Sequence, residues 1–394
     1  MIGISKLFCG VIEPSDVLRY GRDSSKLPSN LLQFSVDKRP VVIMNITRRC
    51  NLRCVHCYAG SDGSPAMDEL TTTEIMKVID NLAEFKCPVV LFSGGEPLLH
   101  PDIAKLAQHA VDCGMRAVIS TNGTLITHGM AEDLAKIGLS YIGTSLDGGP
   151  EIHDRFRGVK GSFDRAIEGL RNAREAGIKT GIRFTITKMN IGEIPGIFDI
   201  MEREHIPRVC FYHLVYTGRG ENLFEESLSH EETRTVIDSI IDHTVRLHHK
   251  GNPIEVLTVD NHCDGPYLYL RMLRENPKRA SEILELLKFN SGNSSGIGVS
   301  AISWEGSVLP DQFWRNQILG NVRNNLFSEI WTDNGNAFLV KLKNKKKYVT
   351  GRCSKCRFLD ICGGNLRARA EAATGDNWAS DPACYLTDQE IGIG

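Results

Sequence analysis

Three cysteines stand close together near the start of the chain, and their odd number limits what this segment can bind. Cys50, Cys54 and Cys57 are spaced Cx3Cx2C and follow an apolar run at residues 41–46. A structural zinc ion or a simple ferredoxin-type cluster needs four protein ligands. Three thiolates can hold an iron–sulfur cubane and leave one iron open, and an open metal position is where a catalytic site keeps its substrate. The triplet therefore indicates a catalytic metal centre, with a fragment of a zinc site completed by a remote ligand as the alternative.

Composition narrows the classes of partner. The chain has 394 residues, of which 41% are hydrophobic and 24% charged, with a net charge of −2. Such a balance argues against a nucleic acid or an anionic membrane as partner, and no stretch reaches the roughly 18 apolar residues of a membrane helix. We see no signal peptide, so twelve cysteines favour metal or catalytic use in the cytoplasm over disulfides. We expect the basic run at residues 341–347 to be solvated surface.

Short β-rich runs alternate with amphipathic segments from residue 41 onward. This alternation predicts a parallel α/β sheet with right-handed crossovers. Six units are too few for a complete eight-fold barrel, so we expect a partial (β/α)6 barrel whose site lies at the C-terminal ends of the strands. The predicted strands are residues 41–47, 88–93, 116–120, 141–145, 179–187 and 208–216.

Other segments precede and follow this barrel. We expect a lead-in segment with turn signals at residues 13–16 and 27–29, and a β-hairpin turning at Glu305 and Gly306. The lead-in, the barrel, a mostly helical bridge and a smaller C-terminal domain are placed at residues 1–40, 41–230, 231–297 and 298–394.

The tail carries a second group of cysteines. Cys353, Cys356 and Cys362 are spaced Cx2Cx5C, and Cys384 follows. Four thiolates are enough to close a [4Fe–4S] cluster. A structural zinc ion held by the same four cysteines is the alternative.

The first motif resembles that of the radical SAM enzymes. In that family the triplet holds a [4Fe–4S] cluster whose open iron chelates S-adenosyl-L-methionine (SAM), and an electron from the cluster yields a 5′-deoxyadenosyl radical. The turn Gly94-Gly95-Glu96-Pro97 matches the family motif whose backbone binds the methionyl amine of SAM. The resemblance implies further SAM contacts from strand ends and from an arginine, and the candidates are Asn122, Ser145, Arg157, Arg183 and Thr185. We expect Asp147 to organise its own turn.

The tail resembles the SPASM or Twitch domain that follows many radical SAM barrels. Full SPASM domains have seven cysteines and two auxiliary clusters. Here residues 310–314 stand about where an upstream cysteine is expected, and Leu366 replaces a partner after Cys362. We therefore predict one auxiliary [4Fe–4S] cluster.

Five cysteines lie outside these motifs. Cys87, Cys113 and Cys210 lie at strand or helix ends, and we expect them to be buried small hydrophobes. Cys9 and Cys263 could lie near the site.

The chain also resembles the AhbC family of tetrapyrrole-modifying radical SAM enzymes over its whole length. The resemblance implies removal of two acetate side chains from 12,18-didecarboxysiroheme to give Fe-coproporphyrin III, with a ferredoxin or flavodoxin as electron donor. Many of the matching segments are shared with the NirJ family, so propionate removal during synthesis of the cytochrome cd nitrite reductase heme is the alternative. The matching segments include residues 1–10, 216–220, 260–265, 310–314, 319–322 and 361–369.

An iron tetrapyrrole with several carboxylates needs a broad apolar pocket with a few basic groups at its rim. For each candidate contact, a structural role is the alternative. The candidates are Arg219, Arg367 and Arg369 for carboxylates, His213 and His262 for the iron, and Trp314 and Tyr216 for stacking. Tyr216 and the two histidines are also our candidates for catalytic residues.

Two rival functions remain open. One is a radical SAM peptide maturase, because SPASM domains are common among those enzymes. The other is a non-catalytic zinc-binding module, which predicts colourless protein containing zinc instead of brown, iron-containing protein.

Overall fold

The computed structural model describes residues 1–13, 16–20 and 39–393. The turn signal at residues 27–29, and the middle of the one at 13–16, lie outside these ranges. Within them no helix is both long and apolar enough to cross a bilayer.

In the described part of the chain, eleven strands form one sheet in the order β1-β8-β7-β6-β5-β4-β3-β2-β9-β10-β11. Strands β2 to β8 pair in parallel with one another, and β9 pairs in parallel with β2. The outer pairs, β1 with β8 and β10 with β9 and β11, are antiparallel. The strands are β1 (Ile2–Gly3), β2 (Val41–Asn45), β3 (Val89–Ser93), β4 (Arg116–Thr121), β5 (Tyr141–Ser145), β6 (Thr180–Ile186), β7 (Arg208–His213), β8 (Glu255–Val259), β9 (Val299–Ile302), β10 (Ser307–Leu309) and β11 (Gly320–Asn321).

Helices cover the outer face of this sheet. Their apolar faces and the strands form two large buried clusters, one on each half of the barrel. The helices are α1 (Ile4–Cys9), α2 (Val17–Tyr20), α3 (Thr72–Glu84), α4 (Ile103–Asp112), α5 (His128–Lys136), α6 (Pro150–Arg157), α7 (Ser162–Glu175), α8 (Ile194–Arg203), α9 (His230–His249), α10 (Asp264–Glu275), α11 (Pro277–Asn290), α12 (Phe327–Thr332), α13 (Ala337–Lys343), α14 (Gly351–Lys355), α15 (Leu359–Cys362), α16 (Arg367–Thr374) and α17 (Asp388–Ile391).

All six predicted strands are present as β2 to β7, each within three residues of the expected bounds. The partial parallel barrel is therefore confirmed. Three strands were not predicted: the two-residue strands β1 and β11, and the longer β8. Strand β8 lies within residues 231–297 and extends the parallel series beyond β7. Its residues are buried along their whole length, so they lack the alternation of polar and apolar residues that marks a half-exposed strand.

The C-terminal residues continue the barrel sheet instead of forming a separate layer. The predicted hairpin is present, with β9 and β10 antiparallel and Gly306 in the left-handed region at φ 88°. Because β9 pairs with β2, the hairpin lies beside the strand that precedes the cysteine triplet.

The basic run at residues 341–347 is not wholly solvated. The Lys345 side chain is buried and its Nζ donates to the backbone and side-chain oxygens of Asn293. Burial lowers the pKa of Lys345 to about 7. Charge density along a sequence cannot reveal that one member of a run points inward.

Candidate active site

The cysteine triplet lies in the loop after β2, at the C-terminal end of the parallel strands. Cys54 is buried, whereas Cys50 and Cys57 are half-buried. Arg219, which follows β7 in the chain, holds this loop in place. Its Nε donates to the carbonyl of Cys54 at 2.7 Å, and its Nη1 donates to the carbonyl of Ser61 at 2.8 Å. Three thiols are thus held in a loop that is tied to a distant part of the chain.

The GGEP turn after β3 packs directly against the cysteine loop. The Gly95 amide donates to the carbonyl of Thr47 at 2.7 Å, and the Glu96 amide donates to that of Arg49 at 2.7 Å. A Cβ on Gly95 would lie 2.1 Å from the Arg49 oxygen, and one on Gly94 would lie 2.4 Å from the Thr47 oxygen. Only glycine allows this approach of two backbones.

Glu96 ties the ends of two strands together beneath that turn. Its carboxylate accepts from the Thr121 hydroxyl at 2.6 Å and from the Asn122 amide at 2.8 Å. The side chain is fully buried, and desolvation raises the pKa of Glu96 to about 7 although these hydrogen bonds oppose the rise.

Polar groups that the sequence suggests as SAM contacts lie at the ends of the next strands. The side-chain Nδ2 of Asn122 donates to the side-chain oxygen of Asn51 in the cysteine loop at 2.8 Å. Arg183 donates to the Ser120 hydroxyl and lies close over Gly143, where a Cβ would be 2.7 Å from its Nε. Ser145 is half-buried at the end of β5.

Arg157 is engaged differently from the expectation that it pairs with the SAM carboxylate. It forms a buried ion pair with Asp147 and donates from Nη1 to the Cys54 sulfur at 3.4 Å. Asp147 also accepts from the Thr185 amide at 2.8 Å. This network places Arg157 behind the cysteine loop, as a partner of a cluster ligand.

The aromatic after the triplet joins the loop to the barrel and to the C-terminal region. The Tyr58 hydroxyl donates to Asn45 at 2.9 Å and lies 3.3 Å from the Ser93 hydroxyl. Its ring meets Phe313 edge-on at 5.4 Å. Two residues further on, the Arg315 guanidinium lies 4.2 Å above the Trp304 ring. Sequence reasoning missed Arg315, since nothing in the sequence places residue 315 near residue 58.

The chemistry of the three thiols fits a metal cluster. Burial raises the pKa of Cys50 to about 12 and also raises the pKa of Cys54. Thiols in this setting stay protonated unless a bound cation supplies positive charge, and metal binding would release their protons.

The four tail cysteines line one cavity between α10 and the C-terminal segment. A fifth thiol, Cys263, lines the same cavity and is fully buried. Its thiol donates to the Asn261 side chain at 3.0 Å and also forms a hydrogen bond with Cys384. That bond is the main cause that lowers the pKa of Cys384 to about 7.

The spacing of these thiols distinguishes the two metal alternatives. A tetrahedral zinc ion with bonds of about 2.3 Å would bring its sulfurs within about 3.8 Å of one another. In the ranges that the structure describes, no three tail cysteines have ligand atoms within 4.8 Å of one another. As placed, these thiols therefore do not form a tetrahedral zinc site.

Two of the expected carboxylate ligands are buried inside the C-terminal region. Arg369 forms a two-point ion pair with Asp381 at 2.9 Å and donates to the Leu214 carbonyl. Arg367 donates to the backbone carbonyls of residues 364, 377 and 379. With Arg219 committed to the cysteine loop, all three predicted arginines hold the protein together instead of facing a pocket.

Most of the aromatic and histidine side chains predicted to contact the substrate are also already bonded within the protein. Trp314 is 1% exposed, and its Nε1 donates to Glu371. The Tyr216 hydroxyl accepts from Ser227 at 2.8 Å, and His213 Nε2 lies 3.0 Å from Asp264. Only His262 among these residues keeps a buried ring nitrogen, Nδ1, without a partner in the described structure.

Comparisons with known proteins agree with this geometry. The sequence matches the Radical SAM superfamily over residues 44–201 and the iron-sulfur cluster-binding SPASM domain over residues 296–357. A solved structure of anSMEcpe with bound AdoMet has the same fold, with a TM-score of 0.69 and 19% identity over 90% of this chain and 96% of that one. The chain belongs to the radical SAM enzymes that carry a SPASM domain.

Two relatives narrow the subfamily. Fe-coproporphyrin III synthase from Methanosarcina barkeri is 60% identical over 395 residues, which cover 100% of this chain and 99% of that protein. Pre-heme d1 synthase from Dinoroseobacter shibae is 38% identical over 90% of this chain and 88% of that protein.

Proposed function

We propose that this enzyme removes two acetate side chains from 12,18-didecarboxysiroheme and so makes Fe-coproporphyrin III. The observation that carries the proposal is 60% identity to an Fe-coproporphyrin III synthase over essentially the whole chain, combined with a three-thiol site at the mouth of the barrel. The match spans both cysteine regions and all the segments between them, so it supports a shared substrate as well as shared cofactors.

When bound, the cluster and SAM supply a 5′-deoxyadenosyl radical that starts the loss of each acetate. In this proposal Cys50, Cys54 and Cys57 hold the SAM-binding cluster. The GGEP backbone, Asn122, Ser145, Arg183 and Thr185 bind and orient SAM at the adjoining strand ends. Arg157 and Arg219 keep the cysteine loop in place.

We assign the second cluster to Cys353, Cys356, Cys362 and Cys384. They lie in the cavity on the C-terminal side of the barrel, within residues 298–394, which we take as the auxiliary-cluster domain. We take residues 41–230 as the barrel. Residues 231–297 form a bridge that contains β8, which pairs with β7 in the sheet.

For the substrate, two other side chains replace the three arginines that already bind other parts of the protein. Arg315 lies beside Tyr58 and Trp304 at the end of the sheet where the cysteine loop lies, and it suits a substrate carboxylate. His262 keeps a ring nitrogen free for an axial contact with the substrate iron. A cytoplasmic enzyme reduced by a ferredoxin or flavodoxin completes the proposal.

The test is an anaerobic reaction of the reconstituted enzyme with SAM, dithionite and 12,18-didecarboxysiroheme, followed by mass spectrometry. We expect loss of both acetates and formation of 5′-deoxyadenosine. Cleavage of SAM with the acetates intact, or loss of propionates, would reject the deacetylase assignment and favour the chemistry of the pre-heme d1 relative.

A further inference from the structure

Three side chains with different ligand atoms converge on the outer surface of the barrel. Asp80 on α3, His109 on α4 and Cys113 just after α4 have ligand atoms that all lie within 4.8 Å of one another. The Asp80 carboxylate is 2.6 Å from His109 Nε2 and 3.7 Å from the Cys113 sulfur, which is 3.9 Å from His109 Nε2. In the described ranges this is the only such group of three histidine, cysteine or acidic residues.

The arrangement departs from the expectation that Cys113 is a buried small hydrophobe. Cys113 is half-buried and packs against the apolar cluster of this half of the barrel, but its sulfur also lies near a carboxylate and an imidazole. Residues 109 and 113 are four positions apart, so a helical backbone presents both on one face. Asp80 completes the group from the neighbouring helix.

The setting is also electrostatically suited to a cation. Cys113 caps the C-terminal end of α4, where the helix dipole is negative. An ordinary surface His–Asp pair accounts for two of the three groups and leaves the thiol unexplained.

The site is remote from the cysteine triplet. Helix α4 leads from the GGEP end of β3 back to the start of β4, and Cys113 lies three residues before Arg116. Asp80 lies near the end of α3, shortly before β3 begins. All three groups therefore lie at the N-terminal end of the barrel strands, opposite the site of the radical chemistry.

We propose that Asp80, His109 and Cys113 form a binding site for a single divalent ion of the zinc class, separate from both iron–sulfur clusters. Three protein ligands of the nitrogen, oxygen and sulfur types are a set that Zn²⁺ accepts, with water in the fourth position. Asp80, whose side chain is 51% exposed, leaves that position open to solvent. A bound ion would join α3 to α4, and free iron added during cluster reconstitution would compete for the same ligands.

The test uses the full-length protein with both clusters assembled, so that the cluster thiols are already occupied. Zn²⁺ is added, loosely held metal is removed by desalting, and zinc and iron are counted by mass spectrometry. His109→Ala and Cys113→Ser remove one ligand each. His128→Ala is the matched control, because His128 pairs with Glu132 at 3.7 Å on a helix surface without a thiol.

We expect the unaltered protein and His128→Ala to retain one more zinc per chain than His109→Ala or Cys113→Ser, with equal iron in all four. Equal zinc in all four proteins would overturn the proposal. The same would follow if Cys113→Ser kept its zinc while His109→Ala lost it, since the thiol would then not be a ligand.

Discussion

The guanidinium of Arg157 lies between a carboxylate and a cluster cysteine, bound to Asp147 on one side and 3.4 Å from the sulfur of Cys54 on the other. Hydrogen bonds to the sulfurs of an iron–sulfur cluster help to set its reduction potential. A donor stabilises the more negative, reduced form. If Cys54 holds the SAM-binding cluster as proposed, Arg157 links the charge of a buried carboxylate to the electron affinity of that cluster.

Replacing Arg157 by lysine should lower that potential, because lysine keeps the charge opposite Asp147 but cannot reach both partners. Losing a charge-assisted hydrogen bond of roughly 1.5 kcal/mol corresponds to a potential about 65 mV lower. A given donor then keeps an about tenfold smaller ratio of reduced to oxidised cluster, so 5′-deoxyadenosine forms more slowly. Redox titration followed by electron paramagnetic resonance, with a SAM-cleavage assay, would measure both effects. Arg155→Lys changes an exposed arginine on the same helix and should leave both unchanged. An unchanged potential in Arg157→Lys would show that the contact with Cys54 has no electronic role.

Glu96 gives the protein a specific pH dependence of stability. The folded-state pKa of about 7 lies above the ordinary value of 4.5, so the folded state binds the proton more tightly. The protonated Glu96 contributes roughly 3 kcal/mol to the free energy of unfolding. This contribution is fully present below pH 4.5 and is lost as the pH rises to 7. Glu96→Gln cannot ionise and should therefore lose less stability over that interval. Melting temperatures measured anaerobically from pH 5 to 8 would check this, and parallel curves for the two proteins would contradict it.

Gly95→Ala should disturb the cysteine loop without unfolding the barrel. Its Cβ would lie 2.1 Å from the carbonyl oxygen of Arg49, next to Cys50, so the loop backbone has to move. We expect the variant to lose up to half of its iron, since only one of two clusters is affected, and to lose SAM cleavage. Gly129→Ala is the control, because a Cβ there meets nothing within 4 Å. Full iron content in Gly95→Ala would mean that the loop accommodates the methyl group.

Cys263→Ala tests whether the fifth thiol in the auxiliary cavity is a ligand or a hydrogen-bond donor to Cys384. If four tail cysteines hold the cluster, iron content should stay at the wild-type level and the auxiliary potential should fall, because a donor to a ligand sulfur is lost. A loss of iron would instead make Cys263 a ligand. Cys87→Ala, which removes another buried thiol far from both motifs, is the matched control.

The local parts of the fold were predictable because each strand of the barrel and each cluster motif is encoded within a few residues. The strand β8 was not, since its buried residues lie between helices and its partner β7 is some 40 residues away. The pairing of β9 with β2 joins residues more than 250 positions apart, and no local pattern indicates it.

The substrate residues show a different limit. Arg367 and Arg369 were chosen because arginine suits carboxylates, but their partners are backbone carbonyls and Asp381. A residue type indicates which bonds are possible, whereas only the folded chain shows which are already made. Arg315 escaped notice for the converse reason, because its neighbours Tyr58 and Trp304 come from other segments.

The parallel pairing of β9 with β2 also determines how this chain can be divided. A fragment that ended before residue 298 would leave one edge of β2 unpaired along residues 41–44, just before the cysteine loop. A bare strand edge of that kind invites pairing with other chains. We therefore expect the barrel expressed alone to aggregate. The barrel and the C-terminal region have to be produced together as one chain.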